Sequence, residues 1–169
     1  ANLGALSQQV MNLISGVQAM HASRVLHGDI KPLNAVLFPD GRVALIDFGF
    51  AGPTLRCRFG TRGFMAPELL DPQCRPQMLG PAVDWYAVGV SVFVVYARAV
   101  LPDGELPDWM PVDPRSGMHR AMPEGIVPAY LQDFIRRCLI VQPRERLARV
   151  YEWLAMHQSP PIGNLLPAV

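Results

Sequence analysis

His27-Gly28-Asp29-Ile30-Lys31-Pro32-Leu33-Asn34 is the stretch on which the reading of this chain turns, and two tripeptides follow it, Asp47-Phe48-Gly49 and Ala66-Pro67-Glu68. The octapeptide crowds a carboxylate, an ammonium, an amide and an imidazole into a Gly- and Pro-containing loop. On its upstream side, Leu6, Val10, Leu13, Ile14, Val17 and Met20 recur at three- and four-residue spacing. That spacing predicts an amphipathic helix of about twenty residues, ending before Val25. Downstream, the short apolar runs 35–38 and 43–46 flank Pro39-Asp40-Gly41-Arg42. Asp-Gly between two such runs predicts a β-hairpin, with Asp47-Phe48-Gly49 at its exit. Residues 52–62, with Gly, Pro and Arg, read as an exposed loop.

The remainder is mostly helical in pattern. Residues 83–101 are apolar on every face, but only thirteen uncharged residues separate Asp84 from Arg98. A membrane span needs about twenty, so a buried core helix is expected. Residues 102–128 are rich in Pro and Gly and lack periodicity, which predicts a long irregular connection; Trp109 and Met110 lie within it. Tyr130, Leu131, Phe134, Ile135, Cys138 and Leu139 restore helical spacing, and after Pro143 a last helix carries Leu147, Val150, Tyr151 and Leu154 on one face.

Half of the 169 residues are hydrophobic and 17% are charged, an ordinary globular composition. The net charge of +1 gives no reason to expect a nucleic acid or an anionic membrane as partner. Of fifteen basic residues only Lys31 is a lysine. Cys57, Cys74 and Cys138 show no C-x-x-C pairing, which favours reduced thiols and an intracellular setting, cytoplasmic or nuclear, and argues against a zinc site.

Taken together the three motifs resemble the signature set of the protein kinase family, and the resemblance runs from the first helix to about His157. The positions His27, Asp29, Lys31 and Asn34 alone would recur by chance in about one chain of this length in a thousand, at ~1/20 per position. The resemblance implies an α+β, mainly α fold. This is the large, C-terminal lobe of a kinase, its β-hairpin carrying the catalytic and Mg²⁺-binding loops, over residues 1–157, with a tail over 158–169.

It also implies roles. Asp29 would accept the proton of a substrate hydroxyl attacking the γ-phosphate of ATP. Lys31 would neutralise that phosphate and, with Thr61 bridging it to Asp29, mark the serine/threonine branch. Asn34 and Asp47 offer hard oxygens for Mg²⁺. Val36 matches the apolar residue beneath adenine. His27 and Phe48, with Gly49 beside them, match the column of side chains that aligns the two lobes. Glu68 and Arg146 match a buried ion pair, and Asp84 the residue that holds the catalytic loop's backbone. The implied partner is a protein with a serine or threonine acceptor.

Two departures from the family pattern are legible. Gly28 stands where most kinases carry an arginine that meets a phosphate on the activation loop. Residues 50–65 offer only Thr54 and Thr61 as hydroxyls, so independence from loop phosphorylation is expected. No Gly-rich phosphate loop occurs, and Lys31 is already committed, so the ATP-clamping small lobe is expected upstream of Ala1 and the isolated chain is expected to be weakly active or inactive. Two other readings stay open at this point. One is a kinase-like binding or regulatory module without activity. The other is a small-molecule kinase of the aminoglycoside or choline type, whose loops read His-Gly-Asp with Asn five residues on; Lys31, Thr61 and Ala66-Pro67-Glu68 fit protein kinases better.

Overall fold

The computed structural model describes residues 2–100 and 127–157. Most of the predicted connection over 102–128, including Trp109 and Met110, lies outside the described residues, as does the tail over 158–169.

The first helix, α1 (Leu3–Ala22), begins where the Asn2 side chain accepts hydrogen bonds from the amides of Gly4 and Ala5 at 3.1 and 3.2 Å. Its buried stripe is Val10, Ile14 and Val17, three of the residues that the spacing singled out. A short 3₁₀ turn, Pro32–Asn34, leads into β1 (Ala35–Leu37), which pairs antiparallel with β2 (Val43–Leu45). Bonds from Phe38 N to Arg42 O and from Ile46 N to Asn34 O, both 2.9 Å, carry the ladder one step beyond each end. The Asn12 side chain donates to Gly41 O at 3.0 Å and so fixes the hairpin turn onto α1.

The core is built around α3 (Pro81–Val100), which packs on α1, α4 (Ala129–Cys138) and α5 (Pro143–His157). Trp85, Val88, Phe93 and Tyr96 of α3 are fully enclosed, as the all-round apolar pattern requires. The stretch Pro81–Ala99 is long and apolar enough to cross a membrane, yet most of it is buried inside the protein, which supports the core-helix reading. At the α4–α5 contact Phe134 and Trp153 lie 4.6 Å apart between ring centres, and the Trp153 indole donates to Tyr130 O at 3.0 Å. The fold is thus a mainly helical α+β lobe with one two-stranded sheet among the described residues.

Two expectations are corrected. The buried face of α5 is Arg146, Val150, Trp153 and Leu154, while Tyr151 is exposed. One residue past Val150 turns a side chain about 100° round the helix, away from α4. The cysteines are not all reduced: Cys57 and Cys74 form a disulfide, their Cα atoms 5.9 Å apart. The chain after Gly52 doubles back so that Arg58 N donates to Leu69 O at 3.0 Å, which brings the two cysteines side by side. Cys138 alone is free, and it is buried.

Candidate active site

The loop 27–34 is held from below by α3. Asp84, in the first turn of that helix and 1% exposed, accepts from His27 N at 2.8 Å and from Gly28 N at 2.9 Å. Two amides on one buried carboxylate give the charge the partners it needs in a low-dielectric interior. A third contact was not foreseen: His21 Nε2 lies 2.9 Å from Asp84 Oδ2. His21 continues the stripe Val10–Ile14–Val17 one turn further, and a polar residue on a buried apolar stripe is the signal that could have exposed it.

From above, the loop is tied to the hairpin exit. His27 is fully buried; its Nδ1 accepts from Asp29 N at 3.3 Å and its Nε2 lies 3.1 Å from Ile46 O. A ring nitrogen that accepts carries no proton, so the proton sits on Nε2 and is donated to Ile46. The ring packs on Phe48 at 4.9 Å between centres. Leu26 and Gly52 exchange two backbone hydrogen bonds, of 2.8 and 2.9 Å, which fasten the chain after Gly49 to the start of the loop.

Asp29, Lys31 and Thr61 form a closed set. Lys31 Nζ donates to Asp29 Oδ2 at 2.9 Å and to Thr61 Oγ1 at 2.7 Å, while Thr61 N donates to Asp29 Oδ1 at 2.8 Å. Burial pushes the Asp29 carboxyl up, but the hydrogen bonds from Lys31 and Thr61 outweigh it and hold the group below the usual carboxylate range. Asn34 donates its amide to Asp29 O at 2.9 Å and to Oδ2 at 3.3 Å, which leaves its amide oxygen as the donor for a cation.

Asp47 is exposed and sits in the left-handed region, φ 60°, just past Ile46, whose amide bonds to Asn34 O. Such a backbone is uncommon for a residue other than glycine and gathers at functional sites. An oxygen from Asn34 and a carboxylate from Asp47 at the same end of the hairpin suit a hard cation such as Mg²⁺. Val36 is exposed on β1, outside the core.

At the far side Glu68, on the short helix α2 (Pro67–Leu70), meets the fully buried Arg146 of α5 with both carboxylate oxygens. Gly28 has φ +80°, and a Cβ built there would lie 2.8 Å from Leu55 Cδ2. Leu55 is buried, an exception within a segment otherwise read as an exposed loop. The geometry brings the residues singled out from the sequence around one edge, with Val36 and Asp47 open to solvent and Glu68–Arg146 and Asp84 bracing it from the helical side.

The sequence profile of the protein kinase domain matches residues 4–158. The chain is 30% identical over 157 residues to the carbon catabolite-derepressing protein kinase of Secale cereale, an alignment covering 83% of the chain and 29% of that protein. It is 27% identical over 147 residues to the cAMP-dependent protein kinase catalytic subunit PRKX of Homo sapiens, covering 82% and 38%. It is also 27% identical over 143 residues to the developmentally-regulated protein kinase 1 of Dictyostelium discoideum, covering 82% and 19%. The chain therefore spans between 19% and 38% of the length of these relatives.

Proposed function

Because the chain belongs to the protein kinase family, we propose that it forms the catalytic-loop lobe of a serine/threonine kinase, passing the γ-phosphoryl group of ATP to a protein hydroxyl. The observation that carries this reading is the closed set of Asp29, Lys31 and Thr61. The two residues that mark serine/threonine chemistry share a 2.7 Å hydrogen bond while both hold the carboxylate. Asp29 then presents a fixed, ionised oxygen to the attacking hydroxyl and takes its proton, a contribution of about 10²–10⁴-fold for a positioned base. Lys31 offsets charge on the transferring group. Asn34 and Asp47 would hold Mg²⁺, which would supply neutralisation of the charge that develops on the transferring group. Val36, exposed on β1, would offer an adenine ring an apolar surface to rest on.

Lys31 is the sole lysine. We therefore place the cation for the α- and β-phosphates on a small lobe outside these residues, arginine being a poor stand-in for that compact charge. We propose an intracellular setting on the need for ATP alone, since the reduced-thiol argument for it falls with the Cys57–Cys74 bridge.

The test is transfer of radioactive phosphate from ATP to a generic basic protein substrate by the full-length protein, beside its Asp29→Asn variant. The wild type is expected to label serine and threonine, and the variant to fall by at least about a hundredfold. Equal labelling by both would sink the enzymatic reading and leave a kinase-like binding module. Wild-type labelling of a small alcohol in place of protein would move the reading to a small-molecule kinase.

A further inference from the structure

The Cys57–Cys74 disulfide joins two parts of the site with different anchorage. Cys74 follows α2, which is fixed to the helical body by the buried Leu69 and by the Glu68–Arg146 pair. Cys57 stands four residues before Thr61, whose amide and hydroxyl close the set with Asp29 and Lys31. Between them, Arg58 is held at φ 63° with its amide on Leu69 O at 3.0 Å. A bulky residue keeps that backbone only where its surroundings over-determine it, and the bridge beside it is one such constraint.

No cation lies at position 28 to receive a phosphate on this loop. Gly28 has φ +80°, and the buried Leu55 fills the space a side chain would need. Leu55 packed at Gly28 and the Cys57–Cys74 bridge are contacts that tie this loop down where no phosphate–arginine contact can form at position 28. Cys57 is flanked in sequence by the exposed Arg56 and Arg58, and Cys74 by the exposed Arg75, so the bridge lies on an arginine-rich stretch of the surface. Both cysteines are half-buried, whereas Cys138 is fully enclosed and burial pushes its thiol far up.

Resting on the kinase reading above, we infer that Cys57 and Cys74 form a redox modification site whose closure holds Thr61 against Asp29 and Lys31, and whose opening releases it. Closure consumes a disulfide oxidant such as oxidised glutathione. One cysteine thiolate attacks it, giving a mixed disulfide and one glutathione thiolate. The second cysteine then displaces the other glutathione, so two cysteine thiols lose two protons and two electrons while one glutathione disulfide becomes two thiols.

The experiment equilibrates the full-length protein in glutathione buffers of graded oxidation. Bridge content is read by alkylation and mass spectrometry, the Thr61 amide by hydrogen exchange, and phosphate transfer in parallel. Opening the bridge is expected to remove protection at Thr61 and to lower transfer by at least about tenfold, the scale of a mispositioned site. Reoxidation restores both. Cys57→Ser and Cys74→Ser are expected to match the reduced wild type and to ignore glutathione, while Cys138→Ser responds as the wild type does. Failure of the bridge to form at any buffer composition overturns the inference, as does bridge opening that leaves Thr61 exchange and transfer unchanged. Absence of transfer in every state counts against the kinase reading instead, and Thr61 exchange alone then decides the switch.

Discussion

Glu68 and Arg146, 78 residues apart in sequence, meet through two parallel hydrogen bonds, Nη1 to Oε1 at 2.6 Å and Nη2 to Oε2 at 3.1 Å. Arg146 spends its other donors on the carbonyls of Ile140, Ala82 and Val141, at 2.7, 2.8 and 2.9 Å. The guanidinium is thus fully satisfied without water, as a buried arginine must be. The pair pins α2, and with it the end of the loop that carries Thr61, to the helical body.

Glu68→Ala should therefore cost about 3–5 kcal/mol, because it leaves a buried cation without its counter-charge. Urea unfolding of the two proteins measures the difference. Replacing both partners by apolar residues, as in Glu68→Leu with Arg146→Met, should cost less than Glu68→Ala alone. A single variant that loses under about 1 kcal/mol would place the pair with surface ion pairs instead.

Asp84 gives a second, more local prediction. Asp84→Ala strands the amides of His27 and Gly28, each about 1–3 kcal/mol when buried without a partner. Asp84→Asn retains one carbonyl acceptor and should be milder. Native-state hydrogen exchange is the direct measurement: the His27 and Gly28 amides should exchange faster in the order wild type, Asn, Ala. Unchanged exchange at both amides in the Ala variant would show that the loop is held by other contacts.

The residues legible in advance were those whose chemistry is local. The spacing of Val10, Ile14 and Val17 announced α1, and Asp40-Gly41 announced the hairpin, because a helix face and a tight turn are decided by neighbours in sequence. Asp84 was legible because a carboxylate on an otherwise apolar helix needs buried donors. Tyr151 was misplaced because the face that packs on Phe134 is set by Trp153, about 200° round the helix from Tyr151, a long-range contact that the spacing alone does not reveal. The Cys57–Cys74 bridge was hidden because it depends on where two irregular segments cross, a long-range fact that carries no periodic signal. Leu55 against Gly28 is the same kind of contact, visible only once the loop has folded back over position 28.

Gly89 tests how tightly α3 and α4 approach. A Cβ at this position would run into Cys138 Cβ, well inside van der Waals contact. Gly89→Ala gains about 1 kcal/mol of helix propensity, but the overpacking it forces costs about 1–3 kcal/mol. Net destabilisation is expected in thermal or urea unfolding, and Gly89→Ala combined with Cys138→Ala should not recover full stability, because the Cβ of residue 138 remains. An increase in stability for Gly89→Ala would mean that the two helices are not in contact at this point.

Tyr86 gives a prediction with a sign. Its ring lies beneath the Arg146 guanidinium, 5.0 Å from carbon to ring centre. Burial pushes the phenol from 10.0 up to about 12, with Arg146 pulling it down and Glu68 pushing it up. The folded protein therefore holds this proton more tightly than the unfolded chain does. Its contribution is fully present below pH 10 and is lost as pH rises through about 12. A shift of this size corresponds to a loss on the order of 2–3 kcal/mol across that window. Tyr96, whose phenol burial also raises, adds to the loss in the same direction, so the informative quantity is the difference between wild type and Tyr86→Phe. Urea unfolding at about pH 9 and about pH 12 should show a steeper fall for the wild type than for the variant. Parallel slopes in the two proteins would mean that Tyr86 ionises as readily in the folded state as in the unfolded chain.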